Sequence, residues 1–391
     1  MKKGLVNIAL LMTLAGCQQS TPPAATSSPQ PAGTPALSAT ATPVATETAA
    51  PTAPGAQVDT SAMLAQLEGD KFPYPEIKKK ENGPIFLAIA SNSQDNKAVV
   101  AALKAVVQTY SSREGSEKRN FAGDDYKAMI AKNLKSDDPA VRHWAIKASS
   151  NALGENPAPE VLDQLVAFMT DETAVEGQRV DAIDELNGMK DYTKNEKVAD
   201  ALYQALSDKH PAVISEALFR LSNKSYAITD KEKFLNKAIE LTEHSDPGVR
   251  GRATDLVGKL GRGSEDKVKP VLKKGLKDSH PYVRSEAVSG LAFLKITDAI
   301  PDMMPLLDDS EKNTYNLSFK NLLGQNDSVH HDGSAWSRVD DAVLRGLQSM
   351  TFMTKDKKFE YGKIEPKTKD ADIAREVGRA KQWYEKNKGS L

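Results

Sequence analysis

The sequence predicts an all-α chain: a right-handed α-solenoid of stacked helix pairs behind a disordered N-terminal tether. Three observations carry that expectation. One phrase recurs at a nearly constant step between residues 142 and 284. Aromatic residues are scarce, at 6% of 391 residues, while alanine is abundant. Residues 17–57 are almost free of charge and rich in Pro, Ala, Thr and Ser. Closely packed helices suit the first two features, because a sheet sandwich leans on aromatic and β-branched residues.

The chain opens MKKGLVNIALLMTLAGCQQS. Lys2 and Lys3 make a short positive region. Leu5 to Leu14 form an apolar run too short to span a bilayer, and the small Ala15 and Gly16 follow. This pattern reads as a secretory signal over residues 1–16. The chain's one cysteine, Cys17, stands at the cleavage point. Leu14, Ala15, Gly16 and Cys17 resemble the lipobox of bacterial lipoproteins. The resemblance implies that Cys17 is acylated, becomes the mature N-terminus and attaches the protein to a membrane through lipid. An ordinary signal peptide followed by an unrelated Cys is the alternative. More than one acyl chain makes such attachment stable rather than reversible. Gln18 stands where an Asp would imply retention at the inner membrane. In a Gram-negative envelope this favours the outer membrane.

Residues 17–57 cannot bury enough apolar surface to offset their ordering entropy, so they read as a tether. About forty residues reach roughly 35 Å as a random coil and on the order of 120 Å in an extended polyproline helix. The folded body is expected over 58–391.

The recurring phrase is clearest as SDPGVRGRATDLVGKLG, SHPYVRSEAVSGL and SDDPAVRHWAIKASSNALG. Aligned on one position it places Arg142, Arg179, Ile214, Arg250 and Arg284 at steps of 37, 35, 36 and 34 residues. A period in this range marks a solenoid of helix pairs. Pro139, Pro211, Pro247 and Pro281 open the helices, since Pro is tolerated in a first turn. Asp138, Asp208, Asp246 and Asp278 offer caps for the free N–H groups. Val213, Ala217 and Leu221 share one face, as do Val283, Ala287 and Leu291. Gly154 and Gly261 are expected to stop their helices. A second amphipathic run accompanies each phrase, and its last Leu lies five or six residues before the next Pro. So short a turn forces consecutive pairs to stack.

These residues resemble HEAT repeats, most closely a bacterial subtype akin to the phycobilisome-lyase repeats, with its D-x-x-P-x-V-R-x-x-A-x-x-A-L-G pattern. The unit at 179 departs from it, with Glu176 and Gly177 in place of the Pro region, and the unit at 214 has Ile for Arg. Degenerate units are expected at Val99–Val107 and at Tyr315–Gly324, followed by a C-terminal cap with Phe352 where Gly is usual.

Net charge is −1, so the strong basic field of a nucleic-acid binder is missing. One cysteine excludes an internal disulfide and a cysteine-cluster metal site. The Arg142, Arg179, Arg250 and Arg284 ladder has two readings. It is a phosphate or carboxylate track, or a set of struts between repeats. The second is favoured by the recurrence of Asp137, Asp208, Asp246 and Asp278 close by. His330, His331 and Asp332 are placed in a polar loop where a divalent ion could bind. Deoxyhypusine hydroxylase, an enzyme on this fold, uses His-Glu pairs as iron ligands; the matching places here are Ser215-Glu216 and Ser285-Glu286. No phosphate loop, nucleophile elbow or triad stands out, and no cofactor is expected. Lys78–Lys80 read as a solvated turn, Trp144 as packing and Trp336 as exposed. The leading expectation is a lipid-anchored, non-enzymatic scaffold of a bacterial cell envelope that binds a protein or peptide. The alternative is a metal-dependent or lyase-like enzyme, or an enzyme accessory, on the same fold.

Overall fold

A computed structural model describes Ala65 and residues 82–110, 123–154, 156–331, 338–352, 358–360, 362 and 370–390. Cys17, Lys78–Lys80, Asp332 and Trp336 lie outside the described residues, as do all of residues 1–57. The described helices belong to one compact unit, Val58–Leu391.

Within it, helices pair in chain order. The first pair is α1 (Gly83–Asn92) with α2 (Asn96–Tyr110). Then come α3 (Asp124–Leu134) with α4 (Pro139–Lys147), and α5 (Pro159–Thr170) with α6 (Glu176–Glu185). Next are α7 (Glu196–Ala205) with α8 (Pro211–Asn223), and α9 (Lys231–Leu241) with α10 (Pro247–Leu260). The last regular pair is α11 (Glu265–Gly275) with α12 (Pro281–Phe293). The short α13 (Ile300–Met303) follows, then two strands, β1 (Tyr315–Lys320) and β2 (Asn326–His331). The long α14 (Val339–Thr351) and α15 (Asp370–Asn387) close the described chain.

The helix starts follow the local chemistry of the repeat. Asp138 accepts from the Ala140 and Val141 amides at 2.8 and 3.2 Å, and Asp246 from Gly248 and Val249 at 2.9 and 3.1 Å. Asp208 and Asp278 do something else. Each accepts from the amide of the histidine two residues on, and the Nδ1 of His210 or His280 then caps the helix by accepting from the amide of Ala212 or Tyr282. The aspartates recurring near each Pro are thus of two kinds, set two residues apart.

Core positions fall on the expected face: Val213, Ala217, Leu221, Val249, Ala253, Val283, Ala287 and Leu291 are all buried. Each such Val or Leu contributes about 1.5–3 kcal/mol relative to exposure. Successive second helices approach closely. A Cβ on Gly258 of α10 would stand 2.6 Å from the Gly290 Cα of α12. Successive first helices face each other through longer side chains, as in Lys197–Asp163 at 2.7 Å and Lys233–Asp200 at 3.1 Å. That asymmetry makes the second-helix side the inner face of the stack.

The expected helical unit at Tyr315–Gly324 is instead a β-hairpin. β1 pairs antiparallel with β2, Tyr315 opposite His331 and Lys320 opposite Asn326. The reason is readable in the residues: Tyr315, Leu317 and Phe319 alternate with polar neighbours, a period of two rather than 3.6. Gly324, at φ +71°, takes the left-handed turn conformation between the strands. His330 and His331 therefore sit on a strand and not in a loop.

Candidate functional site

The hairpin lies across the inner face, against α6, α8 and α10. The repeat sequence has been altered to receive it. A Cβ on Gly177 would stand 2.3 Å from the Lys320 carbonyl oxygen, and one on Gly248 would stand 1.7 Å from the Tyr315 ring. Glu176 accepts from the Lys320 amide at 2.8 Å. Glu176 and Gly177 thus replace the Pro region of the repeat because strand backbone docks on this helix start. The Tyr315 ring also stacks on Tyr282, with centroids 5.7 Å apart and planes 5° from parallel.

Between hairpin and helices lies a cavity of about 230 Å³. Lys147, Asp181, Asp184, Glu216 and Arg252 line it from the helices, and Asp327 from β2. These helix residues come from the positions two or five after the ladder position, which point inward in each repeat. Their charges are largely matched. Asp181 meets Lys147 at 2.6 Å and His143 Nδ1 at 3.2 Å. Arg220 bridges Glu216, at 2.7 Å, and Asp184. Burial opposes the charge on Lys147, but the nearby carboxylates of Asp181 and Asp184 outweigh it and hold the ammonium above its ordinary range. Burial pushes the carboxyls of Glu185, below this network, and Glu286 of α12 up to about 8.

The ladder arginines are not in this cavity. Each donates from one terminal nitrogen to carbonyls of its own inter-repeat turn: Arg142 to Ser136 and Asp137, Arg179 to Asp171 and Ala174, Arg250 to His244 and Ser245, Arg284 to Asp278 and Ser279. Three also reach the next turn. Arg179 meets Asp208 at 2.7 Å, Arg250 meets Asp278 at 2.8 Å and Arg284 meets Asp309 at 2.7 Å. Of the aspartates grouped near the repeats, Asp208 and Asp278 therefore pair with an arginine, Asp246 caps a helix, and Asp137 offers its carbonyl. For Arg142 the corresponding place is Thr173, and this arginine stays with its own turn.

His330 is exposed on β2 and lines the cavity. Among the described residues no group of three or more His, Cys, Asp or Glu is placed to hold a metal ion. Glu216 is engaged by Arg220, and Glu286 is half-buried beside Asp255 and Arg252. Trp144 is half-buried on α4, with the Lys104 ammonium 5.4 Å from its ring. Phe352 is 61% exposed at the end of α14. No described helix is long and apolar enough to cross a membrane.

Sequence reasoning missed both the hairpin dock and the inner charge network. The hairpin had a signal in its alternation. The network had a weaker one: the residue two after the ladder position runs Trp144, Asp181, Glu216, Arg252, Glu286. It keeps its place but passes from aromatic to acidic to basic and back to acidic, so a search for one recurring type passes over it.

The fold defines a class, the helix-pair repeat solenoid, and comparison with known proteins places it further. A family model described as HEAT repeats matches residues 235–316. Among solved structures, yeast importin-β (Kap95p) is similar at a TM-score of 0.52 and 14% identity, over 75% of this chain and 39% of that one. An engineered protein is similar at a TM-score of 0.46 and 17% identity, over 82% and 83%. A designed armadillo repeat protein follows at 0.39 and 18%, over 54% and 99%. No match was found among curated protein sequences. Residues 235–316 thus match HEAT repeats, and the fold is a helix-pair solenoid similar to that of yeast importin-β.

Proposed function

We propose that this chain is a lipid-anchored scaffold of a bacterial cell envelope that binds a protein or peptide partner on its inner face and carries no catalysis of its own. The inner cleft is the observation that carries the reading. It is a narrow, charged space between a docked hairpin and four successive second helices, suited to side chains of a bound polypeptide. Stacked helix pairs present such extended surfaces as a class. The anchor rests on the signal pattern and Cys17, and outer-membrane location rests on Gln18.

Crosslinking from native membranes tests the partner. One recurrent protein, crosslinked through inner-face positions, is the expected result. Stoichiometric iron or zinc in the purified protein would overturn the pure scaffold. For the anchor, Cys17→Ala is expected to abolish incorporation of a labelled fatty-acid analogue; equal labelling of both forms would refute acylation at Cys17.

A further inference from the structure

Arg252 is a cation of the inner face with no carboxylate paired to it among the described residues. Its guanidinium lies over the Phe219 ring, 4.3 Å from the centroid, and lines the cavity under the hairpin. Its Nε is buried without a hydrogen-bond partner among the described residues. The carboxylates around it are engaged elsewhere. Asp184 and Glu216 are held by Arg220, Asp181 by Lys147, and Asp255 by Lys259 at 2.9 Å. Glu286, also near, has its carboxyl pushed up to about 8 by burial and by Asp255, which weakens it as a partner for the guanidinium. Asp327 on the hairpin accepts from the Ser328 amide. A guanidinium removed from water on one side and left without an acceptor is costly unless something supplies one.

We propose that Arg252 is the anchor for a carboxylate of the bound partner, a side chain or a C-terminus, seated between α10 and the hairpin. The planar guanidinium fork matches a carboxylate with two parallel N–H···O bonds. The Phe219 ring holds the guanidinium close by a cation–π contact before binding. A phosphate is disfavoured, because its second charge would face Asp184, Glu216 and Asp327 in the same small cavity. This inference rests on the inner face being the partner surface.

The test is an NMR titration of the arginine Nε–Hε signals of the full chain. The probes are N-acetylglycine, N-acetylglycinamide and inorganic phosphate. Arg252→Lys assigns the signal and Arg252→Gln removes the charge; thermal melts of both establish that they fold. N-acetylglycine is expected to shift the Arg252 signal saturably, the amide to leave it unmoved, and phosphate to act more weakly. Losing the charged fork is expected to weaken N-acetylglycine by about tenfold or more, read in Arg252→Gln through backbone amides of α10. No saturable shift, an equal response to the amide, or tighter binding of phosphate would overturn the carboxylate assignment. If N-acetylglycine fails while a native partner still crosslinks to the inner face, only that assignment falls. If N-acetylglycine binds Arg252 but no partner crosslinks there, the anion site stands and the scaffold reading falls.

Discussion

The junction of α8 with α10 and that of α10 with α12 join equivalent helices by different means. At the second, Arg250 reaches Asp278 with two bonds of 2.8 Å, and Gly258 lets the two backbones meet at Gly290. At the first, the ladder place holds Ile214, buried at 3% exposure, and the residue matching Asp278 is His244. Both members of the ion pair are absent together. The hairpin lies across this same junction, touching both helices, with Tyr315 against Gly248. A stack of repeats needs a bond at every step, but not the same bond. Where the polar strut is missing, apolar packing and an inserted element span the step.

The largest expected effect is on the inserted element. Tyr315→Ala should cost about 3–5 kcal/mol of hairpin docking, by analogy with aromatic truncations in cores. Limited proteolysis should then cut within 315–331 while the helical circular-dichroism signal persists. An uncut hairpin would show that Tyr315 is not its anchor.

Arg250→Ala should remove about 1.5–3 kcal/mol at its junction, because Asp278 is left behind without its partner. In a linear array that loss acts at one interface, so the melt should broaden or split. Arg284→Ala should behave alike through Asp309. Unchanged melts combined with lost partner binding would make the ladder a recognition surface instead of a set of struts.

The missing strut can also be added. Ile214→Arg alone should destabilise by about 1–3 kcal/mol, since it introduces a buried cation with no carboxylate opposite. Ile214→Arg with His244→Asp should recover much of that. A double-mutant cycle with no coupling would refute the proposed equivalence of this place with Arg250–Asp278.

The last effect is read against pH and concerns Glu185 and Glu286. Burial pushes both carboxyls up to about 8 in the folded chain, while an unfolded glutamate ionises in the ordinary carboxylate range. Between those values the unfolded state binds fewer protons, so stability falls as pH rises. Below pH 4 the penalty is absent, and above pH 8 it is constant. Glu185→Gln and Glu286→Gln should each raise Tm at pH 8 and leave it unchanged near pH 4. A rise of equal size at both pH values would point to packing rather than ionisation.

Much of this molecule was legible before any coordinate. The step of 34–37 residues, the Pro at each helix start and the Val-x-x-x-Ala spacing determine local structure, and local structure follows from nearby residues. Capping by Asp138 and Asp246 is of the same kind, a bond spanning two or three residues. What only the tertiary structure decided spans the chain. Glu176 meets Lys320, 144 residues away, and Gly248 yields its volume to Tyr315. Seen along the sequence, Glu176-Gly177 and Gly248 are merely imperfect repeats. Their reason is an element outside the repeat, which no periodicity encodes. The charges of the inner face are hidden likewise, because pairs such as Lys147 with Asp181 and Arg220 with Asp184 join positions of neighbouring repeats that are not each other's counterparts. Whether Asp208 pairs or caps turned on two residues of phase, and only the packed turns fix which carboxylate a guanidinium reaches.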